Sequence, residues 1–331
     1  MKAQIITQFG DPSVFTMKDI PKPEIKPGHV LINVAASSVN QIDCKIRSGV
    51  VADIAPAFPA ILHGDVAGIV DAVASDVTNF KVGDEVYGCA GGLLGTGGAL
   101  AEYMLADSNL ISKKPASLTM TQAAALPLAS ITAWEALFNR ANLKAGQSVL
   151  IHGGAGGVGH IAVQLAKWRG AKVNATVLKN EDFPLVKLFG ADEVINAKTE
   201  DVAAYVKRLT NEVGFDVVFD TVGGPNLDKS FQAAALNGIV VTTAARSSND
   251  LSPMHNKGLT LHVVFMLLPL LKNIGRAEHG KILTELAAIV DSGKCTPYID
   301  PNHFTLETVS DAHRLLESGK AQGKVVLNFK S

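Results

Sequence analysis

The sequence has few cysteines. Cys44, Cys89 and Cys295 are its only ones among 331 residues, and no two of them form a C-x-x-C pair. An odd number of widely spaced cysteines argues against both a disulfide framework and a zinc ribbon. We therefore expect a protein of a reducing compartment, which favours the cytoplasm.

Net charge and long apolar runs are also lacking. Thirty Lys and Arg side chains oppose 31 Asp and Glu, so the formal charge is -1, without the basic stripe that phosphate backbones require. The longest apolar run, residues 261–271, is shorter than the about 20 residues of a bilayer span and contains His262 and Pro269. The chain start turns polar at Thr7 and builds no signal-peptide core. Nucleic-acid binding, membrane insertion and export are not predicted, and we interpret 261–271 as a buried strand followed by a turn.

The composition that is present suits large folded domains. Hydrophobic residues make up 47% and charged residues 18% of the chain, which suits a well-packed globular protein. At roughly 150 residues per domain, a length of 331 residues indicates two domains, each with its own core. Up to about residue 122, short β-type runs are cut by Gly and Pro. From Thr121 an Ala-rich helical stretch leads into strands that alternate with helices. The end of the chain, a helix around Ala312 and a last strand at 324–329, is expected to rejoin the first part.

The alternating part predicts six strands, at residues 148–152, 172–176, 193–195, 216–220, 239–243 and 261–265. Strands separated by helices predict a parallel sheet with crossover helices. Between the first two strands, Ile161, Leu165 and Trp168 lie at helical spacing, and Gly170 is suited to end that helix. The fold class is therefore α/β, with a doubly wound parallel sheet.

A glycine-rich turn separates the first of these strands from its helix. Gly154, Gly156 and Gly159 have G-x-G-x-x-G spacing, directly after an apolar run and directly before a helix. The first glycine permits the tight turn, the second lets the backbone approach a pyrophosphate, and the third lets the helix pack closely on its strand. Amides at the helix start, including those of Gly157 and Val158, would then bind the anion. We predict a dinucleotide site here, with a ligand-free glycine turn as the alternative.

The residues after the second strand indicate which dinucleotide binds. An NAD site places an acidic side chain about 20 residues on, where it holds the ribose 2′-hydroxyl. Here Lys179 is suited to attract a 2′-phosphate, and Thr176 and Asn180 to hydrogen-bond to it, so NADP(H) is favoured. Alternatively, Glu181 or Asp182 supplies the acidic group, although both suit the first turn of the next helix with Asn180 as its cap. Lys179 would then be merely solvated.

The fourth predicted strand runs into a second turn, residues 221–224. This strand is expected beside the first one, at the reversal of strand order where ligands bind. We therefore predict that Val222 and Gly223 contact the cofactor on its nicotinamide side. Asp220 either takes part there or caps the following helix.

Motifs along nearly the whole chain resemble those of one enzyme superfamily. In order they are residues 38–43 (SVNQID), 47–49 (RSG), 63–68 (HGDVAG), 81–86 (KVGDEV), 98–103 (GALAEY), 126–129 (LPLA), 132–134 (TAW), 153–159 (GGAGGVG), 220–224 (DTVGG) and 323–327 (GKVVL). Their sequences and order are similar to those of the medium-chain dehydrogenases/reductases, specifically the zinc-free quinone oxidoreductase (zeta-crystallin-like) branch.

The resemblance implies a mainly-β GroES-like catalytic domain from residues 1–122 and 273–331, an inserted Rossmann NADP-binding domain from residues 123–272, and a cleft between them. Zinc-dependent relatives bind the catalytic metal through a Cys, a His and a second Cys or an acidic residue. Asn40 and Gly64 stand in the first two of those places, and the loop with four cysteines of the structural zinc is missing. No metal is expected.

The implied activity is hydride transfer from NADPH to a small-molecule quinone or α,β-unsaturated carbonyl. Alcohol oxidation needs a Lewis acid to stabilise an alkoxide, whereas conjugation spreads the charge that develops on these acceptors. Asn40 is the predicted catalytic residue, a donor to the acceptor carbonyl, unless it only bonds its own backbone in a turn. By resemblance, Thr132 and Lys324 are cofactor-side residues or else scaffold. Asp43 has the family's place in Asn-x-x-Asp; a structural hydrogen bond is expected there at least as much as proton transfer, and it is not assigned as catalytic.

Further expectations follow from the resemblance. A homodimer would form through residues 261–265, as an edge strand paired across a two-fold axis. Many relatives have Tyr where this chain has Ala197, so adenine would be stacked less or held by other groups. The alternative functions are an NADPH-binding structural or regulatory module without turnover and, among enzymes, an enoyl-thioester reductase or a zinc-free alcohol dehydrogenase.

Overall fold

The computed structural model describes residues 1–329. The chain forms two compact units. The first contains Met1–Leu128, Leu267–Gly293 and the chain from Pro297 on, and the second contains Ala129–Met266 with Lys294–Thr296. The domain boundaries expected at 122/123 and 272/273 lie a few residues from these breaks and stay a prediction.

The strands are numbered in chain order. They are β1 (Lys2–Ile5), β2 (Thr16–Asp19), β3 (His29–Val39), β4 (Asp65–Val73), β5 (Glu85–Cys89), β6 (Tyr103–Asp107), β7 (Ile111–Lys113), β8 (Ser148–His152), β9 (Lys172–Val177), β10 (Glu193–Asn196), β11 (Phe215–Asp220), β12 (Ala234–Thr242), β13 (Thr260–Val263) and β14 (Val325–Asn328).

The helices are α1 (Gln41–Arg47), α2 (Met120–Ala124), α3 (Pro127–Trp134), α4 (Gly159–Trp168), α5 (Phe183–Leu188), α6 (Val202–Thr210), α7 (Asn226–Ala233), α8 (Ser252–Lys257), α9 (Leu268–Lys272), α10 (Ala277–Asp291) and α11 (Val309–Glu317). A π-helical segment, Glu135–Arg140, continues α3. Within residues 1–329, no helix combines the length and apolar character needed to cross a membrane.

The first unit is built on an antiparallel sheet in the order β14-β3-β4-β5-β7, with β6 also paired to β3. The long strand β3 thus pairs with three others. Its pairing with β4 shifts register between Leu31 and Ile32 and between Val34 and Ala36, and such irregularities bend a strand and increase its twist. Since β14 pairs with β3, the end of the chain joins the first unit, as expected.

The second unit contains a parallel sheet in the order β10-β9-β8-β11-β12-β13. Its central strands are continuous apolar runs, and Leu150, Ile151 and Val218 are fully buried, as is typical of parallel strands covered by helices on both faces. From β8 the chain first adds β9 and β10 on one side of the sheet and then β11, β12 and β13 on the other side. This reversal of strand order at β8 is the doubly wound arrangement. The fold class is therefore α/β, with a GroES-like unit and a Rossmann unit, and its prediction is confirmed.

The prediction for residues 261–271 was partly wrong. β13 is the outermost strand of its sheet, so it is not buried, and Val263 is 48% exposed. The next residues do not merely turn, because Leu268–Lys272 form α9 with Pro269 in the first turn. Proline is compatible with a first helical turn, where its missing N–H leaves no hydrogen bond unmade.

Candidate functional site

The glycine-rich turn joins β8 to α4 in the second unit. Gly153 has a positive φ of 74°, which a side-chain-bearing residue rarely adopts. The N–H of Gly154 donates to the carbonyl of Thr176 at 2.8 Å. The turn is thereby anchored to the neighbouring strand β9.

The three glycines of the motif differ in how much space surrounds them. A Cβ at Gly159 would lie 2.0 Å from the carbonyl oxygen of Gly153, and one at Gly154 would lie 2.8 Å from Cβ of Ala175. A Cβ at Gly156 would meet nothing closer than 3.2 Å. The first and third glycines are thus required by packing, whereas Gly156 faces open space that a ligand can enter.

The start of α4 offers unpaired donors to that space. The N–H groups of Gly157 and Val158 have no hydrogen-bond partner among residues 1–329. α4 is ten residues long, so its N-terminus carries the partial positive charge of a helix dipole. Free amides, helix dipole and the gap at Gly156 together fit the diphosphate of a dinucleotide.

The end of β9 holds the residues predicted for the 2′-phosphate. Thr176 is buried, with its Oγ1 3.2 Å from Nδ1 of His152. Lys179 is exposed and has no carboxylate partner among the described residues. Asn180 does not cap α5. It begins a short 3-10 turn, and its Oδ1 accepts a hydrogen bond from Nδ2 of Asn196 at 2.7 Å.

The turn after β11 is held by Asp220. One carboxylate oxygen accepts the N–H groups of Val222 and Gly223 at 2.8 and 2.9 Å. The other oxygen accepts the hydroxyl of Ser230, on α7, at 3.0 Å. Because its oxygens are occupied in this way, Asp220 fixes the turn and the following helix, the structural one of the two expected roles.

The second unit contains most of the residues predicted to bind the cofactor, namely Thr132, Gly154, Gly156, Gly157, Val158, Gly159, Thr176, Lys179, Asn180, Val222 and Gly223. Thr132 is buried on α3. Lys324 belongs to the first unit instead, and its predicted contact with the cofactor stays a prediction.

The structure brings Lys324 to Asn40. The buried side-chain amide of Asn40 donates from Nδ2 to Asp65 Oδ2 at 2.8 Å, and its Oδ1 accepts from Nζ of Lys324. The ammonium of Lys324 also lies 3.6 Å from Asp65 Oδ2. Two charged partners therefore fix which end of the amide is the donor, and Asn40 does more than close its own turn.

Asp65 is the acceptor around which this cluster is arranged. Besides Asn40, it accepts the hydroxyl of Ser38 at 2.7 Å and the backbone N–H of Leu128 at 2.9 Å. It is fully buried, so these donors and the ammonium of Lys324 are what make a buried carboxylate tolerable. Asp65 stands in the 63–68 motif, but no role was predicted for it; the acidic residue directly after Gly64 was the available signal.

Asp43 makes the structural hydrogen bond expected of it. Its Oδ2 accepts the backbone N–H of Asn40 at 2.7 Å, at the start of α1. Burial raises the pKa of Asp43 to about 7, and the negative charge of Asp65 adds to the rise. The hydrogen bond from Asn40 acts in the opposite direction.

A buried chain of hydrogen bonds lies beside this cluster, and no motif in the sequence predicts it. Cys44 Sγ is 3.4 Å from His313 Nδ1, the Nε2 atoms of His313 and His63 are 2.9 Å apart, and His63 Nδ1 is 3.1 Å from Ser37 Oγ. The hydroxyl of Ser37 donates to the Asp65 carbonyl, so His63 Nδ1 must donate to Ser37. His313 then donates to His63 and accepts from Cys44.

Acid is expected to destabilise the protein through these histidines. Burial lowers the pKa of His63 to about 3, of His152 to about 4, and of His313 well below its usual value. The unfolded chain binds their protons near pH 6.5, so unfolding takes up protons below that pH and each histidine contributes a slope of up to about 1.4 kcal/mol per pH unit. Between about pH 4 and 7, Asp43 contributes a slope of the opposite sign, which offsets that of one histidine. In this range its carboxyl group keeps a proton in the folded protein that the unfolded chain has lost.

Urea unfolding between about pH 6.5 and 4 measures this slope. The free energy of unfolding should fall steadily as the pH drops, and His313→Phe should reduce the slope by one proton, since the variant removes one titrating group. An equal slope in both proteins would show that His313 is protonated in the folded chain.

The residues in the place of the zinc ligands do not fit a metal. Asn40 is bonded to an ammonium and a carboxylate, and a Cβ at Gly64 would lie 2.9 Å from Cys89 Sγ, so there is no room for a longer ligand there. Across residues 1–329, no three His, Cys, Asp or Glu side chains are arranged to hold a metal ion.

Two family descriptions match the chain. Residues 26–116 match "Alcohol dehydrogenase GroES-like domain", and residues 189–327 match "Zinc-binding dehydrogenase". The matches cover parts of both units.

Individual relatives match over nearly the full length. The chain is 31% identical to "Quinone oxidoreductase" of Homo sapiens, covering 99% of this chain and 97% of that protein. It is 35% identical to "NADPH-dependent alkenal/one oxidoreductase, chloroplastic" of Arabidopsis thaliana, covering 99% and 79%. A crystal structure of an alcohol dehydrogenase superfamily protein from Novosphingobium aromaticivorans is 40% identical, with a TM-score of 0.95 and full coverage of both chains. The chain therefore belongs to the quinone oxidoreductase (zeta-crystallin-like) family of the medium-chain dehydrogenases/reductases and is an oxidoreductase.

Proposed function

We propose that the protein is an NADPH-dependent, zinc-independent reductase of quinones or α,β-unsaturated carbonyl compounds. The observation that carries this proposal is the amide of Asn40, which is held by Asp65 and Lys324 where zinc-dependent relatives have their first metal ligand. The relatives named as quinone and alkenal/one oxidoreductases support the substrate class.

When bound, a reduced nicotinamide cofactor supplies a hydride. Asn40 uses one Nδ2 hydrogen for Asp65 and keeps a second one, which we assign to the carbonyl oxygen of the acceptor. The buried ammonium of Lys324, in the same cluster, lowers the cost of negative charge on that oxygen. Because Asp65 and Lys324 hold the amide in advance, no reorganisation is needed as the charge develops. Water protonates the reduced product.

Two features support NADPH as the cofactor. The end of β9, where NAD sites carry an acidic group, has Lys179 in its place, and the Arabidopsis relative is named as NADPH-dependent. The free amides of Gly157 and Val158 are assigned to the diphosphate.

We further propose a cytoplasmic homodimer in which β13, at the open end of its sheet, pairs with its copy.

The test is NADPH oxidation by the purified protein with 1,2-naphthoquinone and with an α,β-unsaturated ketone. We expect turnover that persists in the presence of a zinc chelator, and weaker activity with NADH. If NADPH bound tightly without turnover over a broad panel of acceptors, the protein would be a binding module instead. One zinc per chain by elemental analysis, together with loss of activity on chelation, would contradict the zinc-independent mechanism.

A further inference from the structure

The histidine of the 63–68 motif has an unusual backbone conformation. His63 is fully buried and has a φ of 71°, in the left-handed region that side-chain-bearing residues rarely adopt. The other non-glycine residues with positive φ among residues 1–329 are all exposed, and every one except Glu212 is an asparagine. A strained residue persists only where its surroundings hold it, and such residues cluster at functional sites. The contacts of the His63 side chain are therefore what offsets this strain.

The side chain of His63 lies in the middle of the buried chain of hydrogen bonds that runs from Cys44 to Asp65. Burial lowers the pKa of His63 to about 3 and that of His313 well below its usual value, so both rings are neutral near pH 7 and each has a single N–H. Ser37 gives its only hydrogen to the Asp65 carbonyl. The N–H of His63 therefore goes to Ser37, and the N–H of His313 goes to His63. The thiol of Cys44 donates to His313, so every hydrogen of the chain points toward Asp65.

This direction excludes a proton relay along the chain. Transfer would have to leave a proton on the Asp65 carbonyl or take one from it, and a backbone carbonyl only accepts hydrogen bonds. The chain is also closed to solvent, because Ser37, His63 and His313 are fully buried. Hydrogen bonds that are aligned in one direction polarise and strengthen one another. The chain is thus suited to fix positions rather than to move protons.

The chain is attached to the segments that carry Asn40 and Asp65. Cys44 lies one turn along α1 from Asn40, whose carbonyl accepts the N–H of Cys44 at 3.4 Å. His63 stands two residues before Asp65, and the chain ends on the Asp65 carbonyl. These hydrogen bonds therefore fix the backbone that carries the Asn40 amide and the backbone that carries its carboxylate partner.

The third segment is α11, which carries His313 and precedes Lys324 in the chain. His313 bonds to Cys44 on one side and to His63 on the other, so it joins α11 to the other two segments. Lys324 connects the same segments directly, through its contacts with the Asn40 amide and the Asp65 carboxylate. The chain is thus a second connection between the three segments that form the cluster around Asn40.

We infer that His63 and His313 are positioning residues for hydride transfer: they hold Asp65, and through it the Asn40 amide, in the orientation in which the amide meets the acceptor. The inference rests on the proposed function, because it assumes that Asn40 acts on the acceptor. Loss of one donor to the Asp65 carboxylate leaves the backbone of Asp65 in place. Breaking the chain releases that backbone and moves every group that is bonded to its side chain.

The nitrogen resonances of the two imidazoles test the chain without relying on turnover. In protein labelled with nitrogen-15 histidine, we expect the hydrogen of His63 on Nδ1, the hydrogen of His313 on Nε2, and a scalar coupling across the N–H···N bond between the rings. Both hydrogens should exchange slowly with solvent, because both rings are fully buried. A charged ring near pH 7, or a hydrogen on Nε2 of His63, would contradict the chain.

His313→Phe and His313→Gln separate positioning from bulk packing. Phe fills the space of the ring without a donor, so the hydride step should become about 10-fold slower. Gln keeps an N–H that reaches the place of Nε2, so its rate should stay within about 3-fold of the unaltered protein. In both variants we expect the Kd of NADPH within about 2-fold of the unaltered value, since the glycine-rich turn is unchanged. Equal slowing by both variants in stopped-flow measurements would overturn the inference.

Ser37→Ala and Ser112→Ala form a matched pair that leaves both rings in place. Each removes a buried hydroxyl from a strand of the first unit, β3 and β7 respectively, but that of Ser112 bonds to Thr284 on α10. The thermal midpoints should fall alike, whereas only Ser37→Ala should slow the hydride step, by about 5-fold. An unaltered rate in Ser37→Ala would refute positioning through the chain.

His63→Gly removes the ring and the backbone strain together, because glycine adopts a φ of 71° freely. We expect the hydride step to be about 10-fold slower although the backbone is relaxed. A variant with the full rate would show that the ring is not needed, contrary to the inference. If the unaltered protein reduced neither quinones nor enones with NADPH, the proposed function itself would fail. If it reduced them and every variant of the chain were equally fast, only the positioning role would be lost.

Discussion

Asn40→Ala is expected to lower kcat for quinone reduction about 100-fold while leaving the Kd of NADPH within about 2-fold. The loss of one preorganised donor to a developing oxyanion costs about this much in other enzymes. The fold should survive, because Asp65 keeps its hydrogen bonds from Ser38 and Leu128 and its ion pair with Lys324. Stopped-flow measurement of the hydride step, with a separate NADPH titration, gives both quantities.

Ser38→Ala is the matched control for this variant. It removes another donor to the same carboxylate oxygen of Asp65, so it carries a similar structural cost but takes no hydrogen bond away from the acceptor. We expect its kcat within about 3-fold of the unaltered protein. If Ser38→Ala and Asn40→Ala were equally slow, the role of Asn40 would be structural rather than catalytic.

Gly159→Ala is expected to lower the affinity for NADPH at least about 100-fold and to reduce thermal stability. The added Cβ would lie 2.0 Å from the carbonyl oxygen of Gly153 and 3.1 Å from Cα of Gly154. These are backbone atoms, so α4 must move away from the turn, and the free amides of Gly157 and Val158 move with it. Fluorescence titration of NADPH and thermal unfolding measure the two effects.

Gly156→Ala separates ligand contact from packing in the same motif. Its Cβ would meet only the Gly153 carbonyl, at 3.2 Å, so stability should change by less than about 1 kcal/mol. NADPH should still bind about 10-fold more weakly, because the methyl group takes space needed by the diphosphate. Gly97→Ala, at an exposed glycine with nothing within 4 Å, should leave both unchanged. If Gly159→Ala bound NADPH with unchanged affinity, the glycine-rich turn would not be part of the NADPH site.

The fold was largely predictable because its signals are local. The strands of the parallel sheet are apolar runs bounded by glycine and polar residues, and those at 148–152 and 172–176 were placed within one residue of their observed ends. The strand at 261–265 was misjudged as buried because hydrophobicity alone does not show which strand of a sheet is the outermost. That property depends on the pairing order of all six strands.

The candidate site was predictable only in part. Asn40 and the glycines stand in recognisable motifs, but the partners of Asn40 come from distant segments, Asp65 on β4 and Lys324 just before β14. The orientation of the Asn40 amide is set by these two contacts and has no sequence signature. The same holds for the contact between His313 and His63, which tertiary packing brings together.

The placement of Lys324 has a consequence for how the protein matures. During synthesis the segment that forms the whole Rossmann sheet leaves the ribosome well before β14, and domains fold as units while the chain emerges. The first unit, by contrast, lacks the edge strand that pairs with β3, and Asn40 lacks its ammonium partner, until Lys324 and β14 have been synthesised. The Rossmann unit is therefore finished early, and a chain that stops before Lys324 keeps that unit whole but lacks the ammonium group that holds the Asn40 amide.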